Sequence, residues 1–308
     1  MDSGRRLWAI GSGIVLALLA GEFGMRVVET AVPPASPWPT VEAEVKSSQL
    51  ARLSQDVDVV FLGSSVTEAA IDPELLIDLT GVALVYNAAL PFSSRLSDEV
   101  WLEGVVLESV WPTVVVLGVP VWPVHSFIED DPLRGGIEGT LASIANPRSL
   151  ESLALVRNKG VFASWDERRT RHQSAISNLW TDLGHMTGYY ERPPQTLVGR
   201  FGPFGEPRMS NDNIEALRRT VRTLEDAGIQ GILMIEPGHF PGDVSDSDLA
   251  IYLESIKALG RDLRVPVWDT YGVGWNPEYF VDEAHFNREG TVAFTSFLAD
   301  LIIEMDEP

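Results

Sequence analysis

Val57-Asp58-Val59-Val60-Phe61-Leu62-Gly63-Ser64-Ser65-Val66-Thr67-Glu68 is the stretch on which the fold turns. Its first half is a short apolar run closed by a glycine, the pattern of a buried parallel strand. The hydroxyl residues that follow stand at the start of a helix. Ser65 is therefore expected at the mouth of a sheet, where backbone amides can support an adjacent anion. The same shape returns at Val82 to Tyr86, Thr113 to Leu117, Gly231 to Ile235 and Val265 to Trp268. Between these runs the spacing turns helical. Val100, Trp101, Gly104 and Val105 share a face; Ile214, Leu217, Val221 and Leu224 mark a helix that Gly228 stops; Leu249, Leu253, Ile256 and Leu259 mark another, stopped by Gly260. A final helix is expected from about Arg288 to Ile303. Strand and helix in alternation predict an α/β chain, three-layer α/β/α with a central parallel sheet. Ligands of such sheets bind beyond the carboxyl ends of the strands.

Outward from that core, the chain divides unevenly. Arg5 and Arg6 precede an apolar run from Leu7 to Ala20, and a Pro/Ser-rich segment follows from Val32 to Thr40. A basic flank before an apolar stretch reads as an export or anchor signal with its positive end in the cytoplasm. Leu18, Leu19 and Ala20 fit the small-residue cleavage pattern poorly, which favours a retained anchor over a cleaved signal and a secreted product. Residues 1–30 are thus read as membrane anchor or signal, 31–54 as linker, and 55–308 as the α/β domain, with an insertion at about 121–207. The expected location is the cell membrane, single-pass, with the domain on the extracytoplasmic side. The net charge of −21 argues against nucleic acid, whose binding needs a basic surface. With no cysteine in the 308 residues, disulfides and thiolate chemistry are excluded.

Two short blocks carry candidate chemistry. Ser65 is a candidate nucleophile because its tetrahedral intermediate would find an oxyanion site at the helix start; a serine-rich helix cap is the plainer reading. Asp282-Glu283-Ala284-His285 precedes the final helix and offers a base with a carboxylate to fix its tautomer, although a histidine there is often only a surface or capping residue. His239, after the fourth apolar run, points to the same sheet edge but is more simply a loop residue. His125 falls in the insertion. His172 and His185 show no ligand spacing, and no metal site or cofactor is assigned. Trp122, Trp165, Trp180 and Trp275 suit either a sugar-binding groove or core packing.

In this order, Gly63-Ser64-Ser65 followed late in the chain by Asp282-x-x-His285 and Phe286-Asn287-x-x-Gly290 resembles the SGNH (GDSL-like) hydrolase superfamily. The likeness spans Val57 to Leu117 and Gly231 to Ile303, with Ser64 in place of the usual Asp. It implies a flavodoxin-like SGNH fold and a Ser65–His285–Asp282 set acting through an acyl-Ser65 intermediate. Oxyanion donors would come from Ser65 and from the second block, Asn87 to Ser94, where Phe92 stands in place of the family's glycine and Asn87 is a further donor. The third block departs from the pattern: Gly118-Val119-Pro120 lacks the family's asparagine, and proline has no N–H. Joined to an anchor, the sequence is similar to exported members that modify cell-envelope polymers. The resemblance thus implies an esterase or O-acyltransferase acting on acyl esters of an envelope polysaccharide, with envelope-assembly proteins as partners. The alternatives are a catalytically degenerate SGNH domain serving as scaffold or polymer-binding module, and a flavodoxin-like binder cradling a phosphate at Gly63 to Thr67.

Overall fold

The computed structural model describes residues 40–53, 56–91, 93–121, 180–188, 190, 209–239 and 246–306. Within them the chain forms α1 (Thr40–Leu50), β1 (Asp56–Leu62), α2 (Ser65–Ala70), α3 (Pro73–Thr80), β2 (Val85–Asn87) and α4 (Arg95–Trp101). A π-helical turn at Leu102–Val106 extends α4 and leads into β3 (Trp111–Val119). Then come α5 (Asn211–Asp226), β4 (Gln230–Ile235), α6 (Asp246–Leu263), β5 (Val267–Asp269) and α7 (Arg288–Asp306). All strand pairs are parallel, in the order β2-β1-β3-β4-β5. The predicted α/β class with a central parallel sheet holds.

Alternate residues of the strands feed opposite faces, as a period of two requires. Val60 and Leu62 of β1, Val115 and Leu117 of β3, and Leu233 of β4 pack with Trp101, Leu217 and Leu224 from α4 and α5. Val59, Phe61, Val116, Ile232 and Met234 face the other way, onto Leu76 of α3 and Phe294, Leu298 and Ile302 of α7. Val119 and Ile235 meet Tyr252 and Ile256 of α6. Both faces being covered, the strands read as continuous apolar runs.

This strand order reverses direction between β1 and β3, and the crevice at their carboxyl ends is the topological switch point where doubly wound sheets hold ligands. Gly63 follows β1 there, and Gly118 lies at the same end of β3.

Two strands start later than predicted. Val82 and Leu84 belong to the turn before β2, where Leu84 O accepts the amides of Asp58 and Val59. Val265 closes α6 instead of opening β5: its N–H returns to Gly260 O, with Arg264 left-handed at φ 57. The expected anchor at 1–30 lies outside the described residues, as does most of the insertion. Among the described residues no helix is long and apolar enough to cross a membrane. Residues 180–188 of the insertion pack onto the core, with Trp180, His185 and Met186 all buried.

Candidate active site

Ser65 is the first residue of α2. Ser64 caps that helix, its Oγ accepting from Val66 N at 3.1 Å. The same hydroxyl donates to Glu236 Oε2 at 2.7 Å, and Ser64 N donates to Glu236 Oε1 at 2.9 Å. Thr67 Oγ1 also donates to Glu236 Oε1, at 2.6 Å. Glu236 is the first residue past β4 and is 1% exposed. Its carboxylate fits because two glycines clear the space: a Cβ on Gly63 or on Gly118 would lie 2.8 Å from Glu236 Oε1 and closer still to Thr67 Oγ1.

His285 arrives from the far end of the sequence on a pinched loop. An antiparallel bridge joins Phe280 to Phe286, and Val281 N donates to His285 O at 2.9 Å. Inside the loop, Asp282 Oδ1 accepts the amides of Ala284 (2.9 Å) and His285 (2.7 Å), a local turn that Asp forms readily. Asn287 then anchors the start of α7, taking Gly290 N on its Oδ1. Both carboxylate oxygens of Asp282 lie 2.9 Å from His285 Nδ1, and His285 Nε2 lies 2.9 Å from Ser65 Oγ. Two segments 220 positions apart thus meet at one hydrogen bond. With Asp282 ionised, Nδ1 carries the proton and the Nε2 lone pair faces the hydroxyl. Burial works against the charge on Asp282. The hydrogen bond and charge of His285 and the two loop amides outweigh it, and hold the carboxyl below its ordinary value. The side chains of His285 and Asp282 keep 15% and 18% exposure, so the pair is open to solvent on one side.

The oxyanion side is sparser. As the first helical residue, Ser65 has an amide without an acceptor inside α2. In the second block, Ala88 N donates to Phe61 O, Ala89 N to Asn87 Oδ1 and Leu90 N to Gly63 O. Pro91 has no N–H, and Phe92 lies outside the described residues. Asn87, expected as a donor, is corrected. Its side-chain amide points at the carbonyls of Thr67, Glu68 and Ile71 at 3.1–3.2 Å, so its two hydrogens close the carboxyl end of α2. The third block is held through its carbonyls: Arg95 Nη1 donates to Gly118 O, and Tyr252 OH donates to Pro120 O at 2.7 Å. His239 sits at the same sheet edge, with its N–H on Glu283 O and its ring stacked on Phe280. Trp180 and Trp275 are packing residues, their indole N–H groups donating to Glu68 Oε1 and Thr270 O. His125, His172, Trp122 and Trp165 lie outside the described residues. Among the described residues no cluster of His, Asp and Glu could hold a metal ion.

Solved structures to which this chain is similar include a GDSL-like lipase and acetyl xylan esterases. A GDSL-like lipase from Bacteroides thetaiotaomicron is 14% identical, with 86% of this chain and 98% of that chain covered and a TM-score of 0.45. An acetyl xylan esterase is 16% identical over 81% and 100%, with a TM-score of 0.41. A variant of an acetylxylan esterase from Geobacillus stearothermophilus is 12% identical over 80% and 94%, also at 0.41. No family model matches the sequence, and no curated protein matches it.

Sequence reasoning missed two features around Ser65. Glu236 is one. Its signal was available, since an acidic residue directly after a buried apolar run lands at the functional edge of the sheet. The other is a buried set of charges beneath α2. Lys46 Nζ pairs with Glu68 Oε1 at 3.0 Å and donates to the carbonyls of Asn87 (3.0 Å) and Ala89 (2.5 Å). Glu42, one turn earlier, is fully buried. Burial pushes the Glu42 carboxyl up to about 8, with the Lys46 charge opposing. Burial likewise pushes the Lys46 ammonium down to about 7, with Glu42 opposing.

Proposed function

We propose that this chain is a serine-dependent esterase or O-acyltransferase of the SGNH type, acting on acyl esters through a covalent acyl-Ser65 intermediate. The observation that carries the proposal is the unbroken line Asp282–His285–Ser65, with 2.9 Å at each join. A serine hydroxyl is a weak nucleophile until a base takes its proton, and the base works only if a third group fixes its tautomer. Ser65 Oγ forms a bond to the acyl carbon as its proton passes to His285 Nε2, and the carbonyl electron pair moves onto oxygen. That oxyanion takes the Ser65 amide as one donor. Collapse breaks the ester C–O bond, and the departing alcohol receives the proton from Nε2. Water or a sugar hydroxyl then gives its proton to Nε2 and attacks the acyl-Ser65 carbonyl; collapse breaks the bond between the acyl carbon and Ser65 Oγ, which takes the proton back from Nε2. Water makes the cycle a hydrolase; a sugar hydroxyl makes it a transferase.

The polysaccharide and the envelope setting belong to the proposal as well. Arg5, Arg6 and the apolar run Leu7 to Ala20 support the envelope setting, and the resemblance to exported SGNH members supports the polysaccharide. Protease accessibility of the domain in intact cells checks the sidedness. A second reading, a polymer-binding domain without turnover, is favoured by Pro120, which removes one oxyanion donor; such a loss costs on the order of 10²–10³ in turnover. A fluorophosphonate probe separates the two. The wild type and Ser64→Ala are expected to label, Ser65→Ala not. Labelling of Ser65→Ala as strong as that of the wild type would refute Ser65 as nucleophile, and an unlabelled wild type would favour the binding domain.

A further inference from the structure

We propose that Glu236 is the positioning residue of the nucleophile: its buried carboxylate fixes the first turn of α2 and thereby sets the distance between Ser65 Oγ and His285 Nε2. The inference rests on the Ser65 reading above and goes beyond it, to a residue on a different strand.

The donors to this carboxylate are all neutral, one amide and two hydroxyls, at 2.6–2.9 Å. They come from residues 64 and 67, which flank Ser65 and Val66 on either side. Burying a carboxylate is costly unless it is fully hydrogen-bonded, and bonds to an ionised acceptor are shorter and stronger than neutral ones. A charge kept at this depth therefore imposes geometry. Any turn of α2 that moves Ser65 stretches at least one of three strong bonds. The chain has also cleared the place for it, since a side chain on Gly63 or Gly118 would collide with Glu236 Oε1. Ser64 is the link: its hydroxyl hydrogen goes to Glu236 and its lone pair takes Val66 N, so the helix cap and the strand end share one atom. Glu236 does not act as an oxyanion stabiliser, because an ionised carboxylate has no hydrogen to donate to an oxyanion.

Glu236→Gln keeps the shape and removes the charge. Its single carbonyl oxygen can serve two of the three donors, and its NH₂ must then donate to Ser64 Oγ, whose hydrogen loses its acceptor. A misplacement of about 1 Å costs roughly 10²-fold in rate. The expected result is a fall of about 10²-fold in phosphonylation of Ser65 and in kcat, with KM within about twofold and an unchanged pH midpoint, because His285 and Asp282 are untouched. Hydrogen exchange in the peptide spanning 63–68 should quicken, while the rest of the sheet stays protected. The double variant Ser64→Asp/Glu236→Gln moves the carboxylate across the same hydrogen bond to the helix cap, where Asp is favoured, and should restore at least tenfold of the loss. A labelled wild type with an equally reactive Glu236→Gln overturns this inference alone. So does quickened exchange without loss of rate, or a double variant no better than the single. An unlabelled wild type overturns the Ser65 reading and this inference with it.

Discussion

Asp282→Asn tests the tautomer argument with the least disturbance elsewhere. In the wild type, Asp282 Oδ1 holds the amides of Ala284 and His285, and both oxygens face Nδ1. Asparagine can keep the two amides on its carbonyl oxygen, so the loop retains its turn. Its NH₂ is then left facing Nδ1, which must present a lone pair. The imidazole proton moves to Nε2, where it points at Ser65 Oγ and leaves no base to accept the serine proton. A loss on the order of 10⁴-fold in kcat is expected for a base held in the wrong tautomer, which is about 5 kcal/mol in the barrier. The phosphonylation rate constant and hydrolysis of p-nitrophenyl acetate both report it. Thermal unfolding checks that the loop has survived. Because the Asp282 carboxyl is held below its ordinary value, its stabilising effect is complete above the usual carboxylate range and fades only as the pH falls through the lowered pKa. At neutral pH the wild type therefore has that stability in full, and Asp282→Asn should lower the melting point by a few degrees, not unfold the domain. A variant that folds and reacts within tenfold of the wild type would refute the claim that Asp282 sets the imidazole.

Further expectations follow from the buried neighbours of α2. Gly118→Ala places a methyl group 2.8 Å from Glu236 Oε1 and 3.1 Å from Leu62 O; we predict a loss of about 1–3 kcal/mol in stability and slower labelling. Gly104→Ala, with nothing within 4 Å of the new methyl, should stay within about 0.5 kcal/mol of wild type; equal effects in urea titrations would refute the steric account. Glu42→Gln should stabilise increasingly as the pH rises from 4.5 to about 8, because the wild-type carboxyl binds its proton more tightly folded than unfolded across that window. The difference should reach the order of a few kcal/mol, and a gap between the two melting curves that does not change with pH would refute it.

The parts of this molecule that were legible in the sequence are those governed by local pattern. Val57 to Leu62 read as a buried strand, and the glycine and serines after it as the turn into a helix at the sheet edge. The late Asp-x-x-His was legible as a turn before a helix. The hydrogen bond between Ser65 and His285 is a tertiary fact, and the sequence supplied only the order of its two halves. Where reading failed, a long-range partner had changed a residue's meaning. Asn87 ends β2 and opens the expected donor block, yet the open carbonyls at the end of α2 claim its amide. Lys46 and Glu42 have the composition of a solvated helix face, and nothing within α1 announces that Lys46 will be buried against Glu68 and the carbonyls of Asn87 and Ala89. Val265 has strand propensity, but Pro266 and the end of α6 take it first.

These long-range partners converge on one short element, and the reason is energetic. A helix of six residues cannot hold itself together in water, since nucleation costs more than so few internal bonds return. Yet α2 carries Ser65, whose reach to His285 tolerates little movement. The surrounding chain supplies what the helix lacks. Glu236 fastens its first turn, and Asn87 closes its last carbonyls. Thr291 Oγ1 of α7 donates to Ala69 O at 3.1 Å, and Met186 N donates to Glu68 O at 3.3 Å. Lys46 and Trp180 converge on Glu68 Oε1 from beneath. Buried polar groups are an inefficient way to gain stability, since each must first be desolvated. Directional bonds are, however, the means by which a packed interior can fix the rotation of a short helix, because apolar contacts are indifferent to direction. The concentration of buried polar side chains around α2 is therefore the arrangement expected of a chain that holds one hydroxyl in place.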